Sequence, residues 1–244
     1  MKKKYYRMVA IIPARGGSKR IPQKNIKKFH GVPIIKYSID VAIKSKIFDS
    51  VIVSTDDKKI AKVAKEFGAE VPFFRSKKSS SDSASLTDAM IETLERLAKL
   101  NCRPKYCCMI FATNPTISVK RLKAAFDLLT KYNADSVIPV AEYPSPVQRA
   151  LKIKRGILKL VDNKYEFTRS QYLPKRYYDS GRFIFFKTSS FLRNKSFFMR
   201  KTRAMILPHL LVQDIDSEED WKLAELKFDL KNFKSDRLGK EKLN

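Results

Sequence analysis

The chain has 244 residues, of which 43% are hydrophobic, so it can bury the core of one large α/β domain and is not expected to be disordered. No apolar run approaches the roughly 20 residues of a membrane span, and the run after Lys2, Lys3 and Lys4 is too short for a secretory signal, so we expect a cytoplasmic protein. Lys and Arg number 51 against 25 Asp and Glu, an excess spread along the whole chain, which favours an enzyme acting on polyanions or a lysine-rich surface over a nucleic-acid-binding protein.

Apolar runs without alternation predict buried strands in the first half of the chain, at residues 8–14, 51–54, 106–111 and 136–140. Between them, apolar residues at helical spacing predict helices at residues 34–44, 86–100 and 119–132. A further helix is predicted between a cap at Thr55 or Asp56 and Gly68. This alternation indicates an α/β fold with a mostly parallel sheet and helices on both faces.

The pattern changes after residue 140, where prolines, glycines and short aromatic runs predict a small β-rich insertion. Apolar residues at 204–207 resume the sheet, and a helix is predicted from about residue 217 to 228. The predicted organisation is therefore an α/β domain at residues 1–140 and 188–228, the insertion at residues 141–187, and a basic, loosely held tail at residues 229–244.

A glycine-rich basic loop, I-I-P-A-R-G-G-S-K-R-I-P-Q-K-N, follows the first predicted strand. Gly16 and Gly17 carry no side chains, so their backbone N–H groups can approach an oxyanion closely. Four cations lie in the same loop: Arg15, Lys19, Arg20 and Lys24. Such an array suits a nucleoside triphosphate at the carboxyl end of a strand, and its spacing matches neither a Walker A loop nor a G-x-G-x-x-G fingerprint.

The second candidate site is the sequence Q-D-I-D-S at residues 213–217. Asp214 and Asp216 are two residues apart, so in an extended segment both carboxylates can face one hard cation while Ile215 turns into the core. The structural alternative is a helix N-terminus, with Ser217 as the cap and acidic residues in the first turn. That alternative explains Ser217 and the acids after it, but not two aspartates before the cap.

The loop motif R-G-G-S-K-R-I-P-x-K-N resembles the opening motif of the acylneuraminate cytidylyltransferase family. The resemblance implies a Rossmann-like nucleotidyltransferase that uses CTP as co-substrate and Mg²⁺ as cofactor. It also implies nucleotide-binding roles for the loop residues Ala14, Arg15, Gly16, Gly17, Ser18, Lys19, Lys24 and Asn25. Asp214 and Asp216 fall where the family has its D-x-D metal pair. The resemblance thus implies that Arg15, Lys24, Asp214 and Asp216 carry catalysis, and it leaves the general base open.

Other segments of the chain resemble the same family. Ser54, Thr55, Asp56 and Asp57 match its S-T-D-D, which we interpret as a helix cap with two acids favoured by the helix dipole. By analogy, Arg75 and Ser85 would hold the cytosine or ribose, and Thr113 would contact the sugar. Phe111 stands where sialic acid enzymes have a glutamine that reaches the sugar, which argues against sialic acid itself.

Within the predicted insertion, T-R-S-Q-Y-L-P and Y-Y-D-S-G-R-F resemble the R-S-Q-D-L-P and Y-H-D-A-G-Q-F of pseudaminic acid cytidylyltransferases. The resemblance implies that Arg169, Gln171 and Asp179 bind an acidic nine-carbon sugar. Arg169 suits the sugar carboxylate because guanidinium offers a planar fork; the structural alternative is a surface arginine in a proline-rich loop. The implied partner is a second copy of the chain in a homodimer. Three alternatives to CMP-pseudaminic acid synthesis stay open. The chain could make CMP-sialic or CMP-legionaminic acid, it could be a non-catalytic homologue, or it could bind nucleic acid.

Overall fold

The computed structural model describes the backbone of residues 6–240 and the side chains of residues 6–232. Its strands are β1 Met8–Pro13, β2 Lys28–Phe29, β3 Val32–Pro33, β4 Ser50–Ser54, β5 Tyr106–Ile110, β6 Ser136–Glu142, β7 Leu151–Lys154, β8 Ile157–Leu160, β9 Tyr177–Asp179, β10 Phe183–Lys187 and β11 Thr202–Ile206. Its α-helices are α1 Ile35–Ser45, α2 Lys58–Glu66, α3 Lys77–Ser80, α4 Leu86–Lys99, α5 Val119–Lys131, α6 Thr188–Asn194 and α7 Glu218–Lys240. Within the described residues, none of the helices is long and apolar enough to cross a membrane.

The central sheet runs in the order β11-β6-β10-β5-β1-β4, and β9 also pairs with β6. The pairs β1 with β4, β1 with β5 and β11 with β6 are parallel. The predicted α/β fold with a mostly parallel sheet is confirmed. Strand β10 departs from it, because it lies antiparallel between β5 and β6.

Successive residues of the central strands face two different apolar cores, which is why these strands read as continuous apolar runs. From β1, Ala10 and Ile12 join a core formed with α1, α2 and α5. Val9 and Ile11 join the opposite core, which is formed with α4 and α6. Helices therefore cover both faces, as predicted.

The helix cap after β4 is Asp57 rather than Thr55 or Asp56, so that prediction is wrong. The Asp57 carboxylate accepts hydrogen bonds from the backbone N–H groups of Lys59 and Ile60. Asp56 instead accepts from the N–H of Gly16 at 3.0 Å. Asp56, which the local sequence predicted as a cap, is therefore used instead in a contact with a residue 40 positions earlier in the chain.

The range predicted for the insertion contains β9 and β10, which both belong to the central sheet. Outside that sheet, it contains the hairpin of β7 and β8, joined at Arg155 and Gly156, which both have positive φ. Four apolar residues of this hairpin are exposed: Leu151, Ile153, Ile157 and Leu158. The assignment of residues 141–187 as a dimerisation and sugar-binding unit stays a prediction.

The last helix is longer than predicted, because α7 continues from Glu218 to Lys240 instead of ending near residue 228. Its first turns pack Trp221 and Phe228 against the β2–β3 hairpin. Farther along, Lys231 donates to the carbonyl of Thr116 at 3.3 Å. A helix anchored this firmly continues through residues that were predicted to form a loose tail; residues 241–244 lie outside the described part.

Candidate active site

An open cleft of about 510 Å³ lies at the carboxyl ends of β1 and β5. Pro13, the last residue of β1, lines it, as do Phe111 and Ala112 directly after β5. Ligands of open α/β sheets bind at this edge. Among the predicted nucleotide and sugar residues, the cleft is lined by Arg15, Ser18, Lys19, Lys24, Asn25, Arg75, Ser85 and Thr113.

The backbone of the loop after β1 is held close to the start of α2. A Cβ atom on Gly16 would lie 2.6 Å from a carboxylate oxygen of Asp57, so only glycine fits there. The N–H of Gly16 is donated to Asp56. Asn25 closes the other side of the loop by donating to the carbonyl of Arg15 at 2.9 Å. The glycine N–H expected to meet an oxyanion thus already binds a carboxylate.

Two exposed cations of the loop are paired with Asp82, a residue to which the sequence assigned no role in the site. Arg15 Nη1 lies 3.0 Å and Lys19 Nζ lies 2.5 Å from the Asp82 carboxylate. A hydrogen bond from Lys19, followed by the positive charge of Lys19, lowers the pKa of the Asp82 carboxyl. All three side chains reach solvent, so an incoming polyanion can replace this carboxylate.

The phosphate loop and the D-x-D segment meet, although they lie far apart in the chain. Lys24 Nζ donates to the carbonyl of Ile215 at 2.5 Å and lies 3.4 Å from Asp216 Oδ1, across 192 residues. Arg20 Nη2 lies 2.8 Å from the same oxygen. Two loop cations thus contact Asp216. The phosphate loop and the D-x-D segment therefore lie side by side, as a shared nucleotide and metal site requires.

An apolar cluster explains why these two segments meet. As predicted, Ile215 turns into the core and is 1% exposed. It packs with Ile21 from the end of the loop, with Phe29 from β2 and with Trp221 from α7. Burial of Ile215 fixes the direction of its polar neighbours, because alternate residues of an extended segment point to opposite sides.

Asp214 has different neighbours from Asp216. Its Oδ1 accepts from the N–H of Ile215, and among the described residues its other carboxylate oxygen accepts no hydrogen bond. Partial burial and then the negative charge of Asp214 raise the pKa of the Asp179 carboxyl. The negative charge of Asp214 therefore acts on Asp179, an interaction that the sequence did not reveal.

The two aspartates offer the oxygen ligands that Mg²⁺ prefers. Mg²⁺ is typically bound by one or two carboxylates together with substrate phosphates and waters. Within residues 6–232, no cluster of three or more His, Cys, Asp or Glu side chains suited to a metal is present. A metal at Asp214 and Asp216 would therefore depend on the substrate for its remaining ligands, and the free oxygen of Asp214 fits that arrangement.

Arg75 and Ser85, assigned by analogy to the base or ribose, have structural roles as well. Arg75 is 6% exposed and its Nε donates to Ser80 at 3.0 Å. Burial lowers its pKa, against the opposing charges of Asp56 and Glu92. Ser85 caps α4 in a reciprocal pair with Asp88. Their contacts with a nucleotide stay predictions.

The structure does not bring all predicted sugar residues to this cleft. Thr113 lines it, whereas Arg169 and Gln171 are exposed on the segment after the β7–β8 hairpin and do not line it. Arg182, the arginine of Y-Y-D-S-G-R-F, supports the D-x-D segment from the side of β5: its guanidinium donates to Asn114 at 2.7 Å and to the carbonyl of Gln213. The sequence carried no local signal that Arg182 binds this segment. Asp82 did carry one, because an acidic residue in a serine-rich segment is a candidate partner for a cationic loop.

Comparison with known proteins supports one chemistry. The model of a family described as Cytidylyltransferase matches residues 9–235. Pseudaminic acid cytidylyltransferase of Campylobacter jejuni serotype O:23/36 is 38% identical over 89% of this chain and 94% of its own length. The CMP-N,N'-diacetyllegionaminic acid synthase of Legionella pneumophila is 29% identical over 90% of this chain and 95% of its own.

Among solved structures, CMP:2-keto-3-deoxy-manno-octonic acid synthetase complexed with CTP has a similar fold. The TM-score is 0.68 at 14% identity, over 92% of this chain and 99% of that one. At this identity the likeness concerns the fold alone. It agrees with the α/β architecture described above.

Proposed function

Because the chain belongs to the cytidylyltransferase family and is therefore an enzyme, we propose a reaction for it. In this reaction, CMP is transferred from CTP to an acidic nine-carbon sugar. The products would be pyrophosphate and a CMP-activated nonulosonic acid. Pseudaminic acid is the sugar proposed first, because the pseudaminic acid relative has the higher identity over nearly the whole chain. The observation that carries the proposal is the contact of Arg20 and Lys24 with Asp216 beside one cleft.

Binding of the triphosphate would fall to three cations of the loop. We propose that Arg15, Lys19 and Lys24 contact the phosphates, with the N–H of Gly17 alongside, since the N–H of Gly16 is already donated to Asp56. Phosphate would displace Asp82 from Arg15 and Lys19, because a triphosphate carries more charge than one carboxylate. Neutralising this charge allows a nucleophile to approach phosphorus.

The chemical step would then be an in-line displacement. The anomeric hydroxyl of the sugar loses its proton to solvent water and its oxygen forms a bond to the α-phosphorus, while the bond between the α-phosphorus and the departing pyrophosphate breaks. Asp214 and Asp216 would hold a magnesium ion, which when bound supplies Lewis-acid charge and makes the hydroxyl more acidic. The remaining contribution is positioning, since no side chain of the described cleft stands out as a dedicated base.

We also propose that the enzyme is a cytoplasmic homodimer. Ile153 and Leu158 of the β7–β8 hairpin are 74% and 57% exposed, which would suit burial against a second copy. Arg169 and Gln171 do not line the cleft of their own chain, so they would reach the sugar only in a partner's cleft. Sedimentation analysis tests this, and a monomer at working concentration would remove these two residues from the proposed sugar site.

The test of the proposed reaction is a pyrophosphate-release assay with Mg²⁺, in which CTP, ATP, GTP and UTP are each combined with a panel of nonulosonic acids. We expect turnover with CTP, and kcat/KM about tenfold or more higher for pseudaminic acid than for legionaminic or sialic acid. Preference for legionaminic or sialic acid would replace the sugar assignment. Absence of turnover with every combination would overturn the proposal, and a salt-resistant gel shift with nucleic acid would then favour the binding alternative.

A further inference from the structure

Three successive backbone carbonyls before Asp214, those of residues 211–213, each accept a hydrogen bond from a side chain of a different element. Thr116 Oγ1, after β5, donates to the first carbonyl at 2.8 Å. Lys227 Nζ, on α7, donates to the second at 2.7 Å. Arg182 Nη2, at the start of β10, donates to the third at 3.3 Å. These residues are not paired into a strand, so side chains rather than a neighbouring strand satisfy their backbone carbonyls.

The same pattern continues through the D-x-D pair itself. The carbonyl of Asp214 accepts from the side chain of Gln213 at 2.9 Å, and that of Ile215 accepts from Lys24. Every carbonyl of residues 211–215 is thus bound by a side chain. The two aspartates are presented by a segment whose backbone is fixed before any ligand arrives.

Arg182 is the most unusual of these donors, because it is a buried cation without a carboxylate partner. Its side chain is 3% exposed, and Nη1 donates to the amide oxygen of Asn114, which is itself fully buried. The side-chain amide of Asn114 donates in return to the Arg182 carbonyl at 2.9 Å. Among the described residues, Arg182 Nε has no partner.

A buried cation held only by neutral oxygens is costly, so a purely structural role would be filled more cheaply by a neutral amide. Burial lowers the pKa of Arg182 to about 10, and the charge of Asp214 acts in the opposite direction. The guanidinium is therefore charged at neutral pH and lies in the field of Asp214.

We propose that Arg182 is a positioning residue for the D-x-D pair: by holding the carbonyl of Gln213, it sets the direction in which Asp214 and Asp216 present their carboxylates to a divalent cation. Thr116 and Lys227 contribute to the same positioning. The inference rests on the proposed function, in which the two aspartates hold a metal. It goes beyond that function because Arg182 touches neither nucleotide nor sugar in it.

The experiment measures Mn²⁺ affinity of the whole chain by electron paramagnetic resonance, without sugar, for the wild type, Arg182→Met, Arg182→Lys and Thr116→Val. Arg121→Met is the matched control, since Arg121 is a half-buried cation near Lys231, whose pKa is lowered by burial and then by the charges of Arg121 and Arg182, but Arg121 donates to none of the carbonyls of residues 211–213. We expect Arg182→Met to weaken Mn²⁺ binding by about 10- to 100-fold, the usual effect of losing an outer support of a metal ligand. Lysine should restore part of the affinity, and Thr116→Val should lose less than Arg182→Met.

Kinetics and hydrogen exchange make the test specific. In Arg182→Met, kcat should fall by a factor similar to the loss of Mn²⁺ affinity, while KM for CTP changes little because the phosphate loop is untouched. Amide exchange should rise at residues 211–216 and stay unchanged at residues 14–25. If Arg182→Met does not fold, Thr116→Val and Lys227→Met decide the question by the same readouts.

Unchanged Mn²⁺ affinity in folded Arg182→Met, or an equal loss in Arg121→Met, would overturn the positioning role. This outcome is separable from failure of the proposed function. A wild type that turns over CTP with an Arg182→Met variant of equal Mn²⁺ affinity refutes the positioning role alone. A wild type that binds Mn²⁺ and loses it on Arg182→Met, but turns over no nucleotide, supports the positioning role and refutes the reaction.

Discussion

The phosphate loop of residues 14–25 and the segment of residues 211–216 meet at Asp216, but different interactions hold them. The loop exposes Arg15, Lys19 and Arg20 and pairs the first two with Asp82, through side chains that reach solvent. The second segment has its carbonyls bound by side chains and Ile215 in an apolar cluster. Exposed ion pairs are worth little and are screened by salt, whereas buried hydrogen bonds are costly to break.

This difference matches two tasks. A loop whose counterion is a protein carboxylate can exchange that carboxylate for phosphate at little cost. A segment whose backbone is fixed from several sides can present ligands to a metal without reorganising. We therefore expect changes in the loop to alter nucleotide binding, and changes in the fixed segment to alter turnover.

The largest effect should come from Asp214→Ala, on the fixed side. Turnover should fall by about 10³-fold, which corresponds to the several kcal/mol that a bound metal supplies to the transition state. Binding of CTP to the loop should change much less, because Asp214 does not contact the loop. Steady-state kinetics and CTP titration measure the two separately; a variant with wild-type turnover would remove Asp214 from the site.

Lys19→Met should have the next largest effect, and it should change KM for CTP rather than turnover. Loss of one charge-assisted contact to phosphate should raise KM for CTP by about tenfold, with a smaller change in kcat. Lys62→Met, on the exposed surface of α2, is the control for loss of one positive charge. If both variants raise KM equally, the effect belongs to the overall charge of the protein rather than to the loop.

Asp82→Asn should act in the other direction. Removing the carboxylate that competes for Arg15 and Lys19 should lower KM for CTP by about two- to fivefold, since exposed ion pairs are weak. The gain should shrink as salt is raised, because salt weakens the competing pair in the wild type. A higher KM would instead mean that Asp82 assists nucleotide binding.

The smallest effect should come from Ser217→Ala, which removes the cap of α7 beside the fixed segment. Loss of an N-cap costs about 1 kcal/mol of unfolding free energy, measurable in urea. The hydrogen bond from Ser217 is the main cause that lowers the pKa of Asp220 in the folded chain. Its stabilisation is therefore present above the ordinary Asp pKa and is lost as pH falls through the lower folded value. The variant should lose less stability on acidification than the wild type, and equal losses would contradict the capping interaction.

The sequence predicted best those features that depend on local pattern. The buried strands β1, β4 and β5 are continuous apolar runs, and the cations of the loop stand together in the chain. Ile215 between two aspartates also carried its own signal, because an apolar residue flanked by charges in an extended segment predicts an alternation of core and solvent.

What the sequence did not predict depends on which segments meet in three dimensions. The sequence F-I-F-F-K predicts a strand buried on both faces. It does not predict that this strand, β10, lies antiparallel between β5 and β6. The pairing of Asp56 with Gly16 and the role of Arg182 arise from contacts across 40 and 31 residues. Local propensity offers no ranking among such partners.

The most direct test of the account is a crystal structure with CTP and Mn²⁺, in which anomalous scattering locates the metal. The account predicts triphosphate on the Gly16–Gly17 loop in the place of the Asp82 carboxylate, and a manganese peak that joins Asp214 and Asp216 to a phosphate oxygen. Nucleotide bound away from the loop, or a metal that contacts neither aspartate, would contradict it.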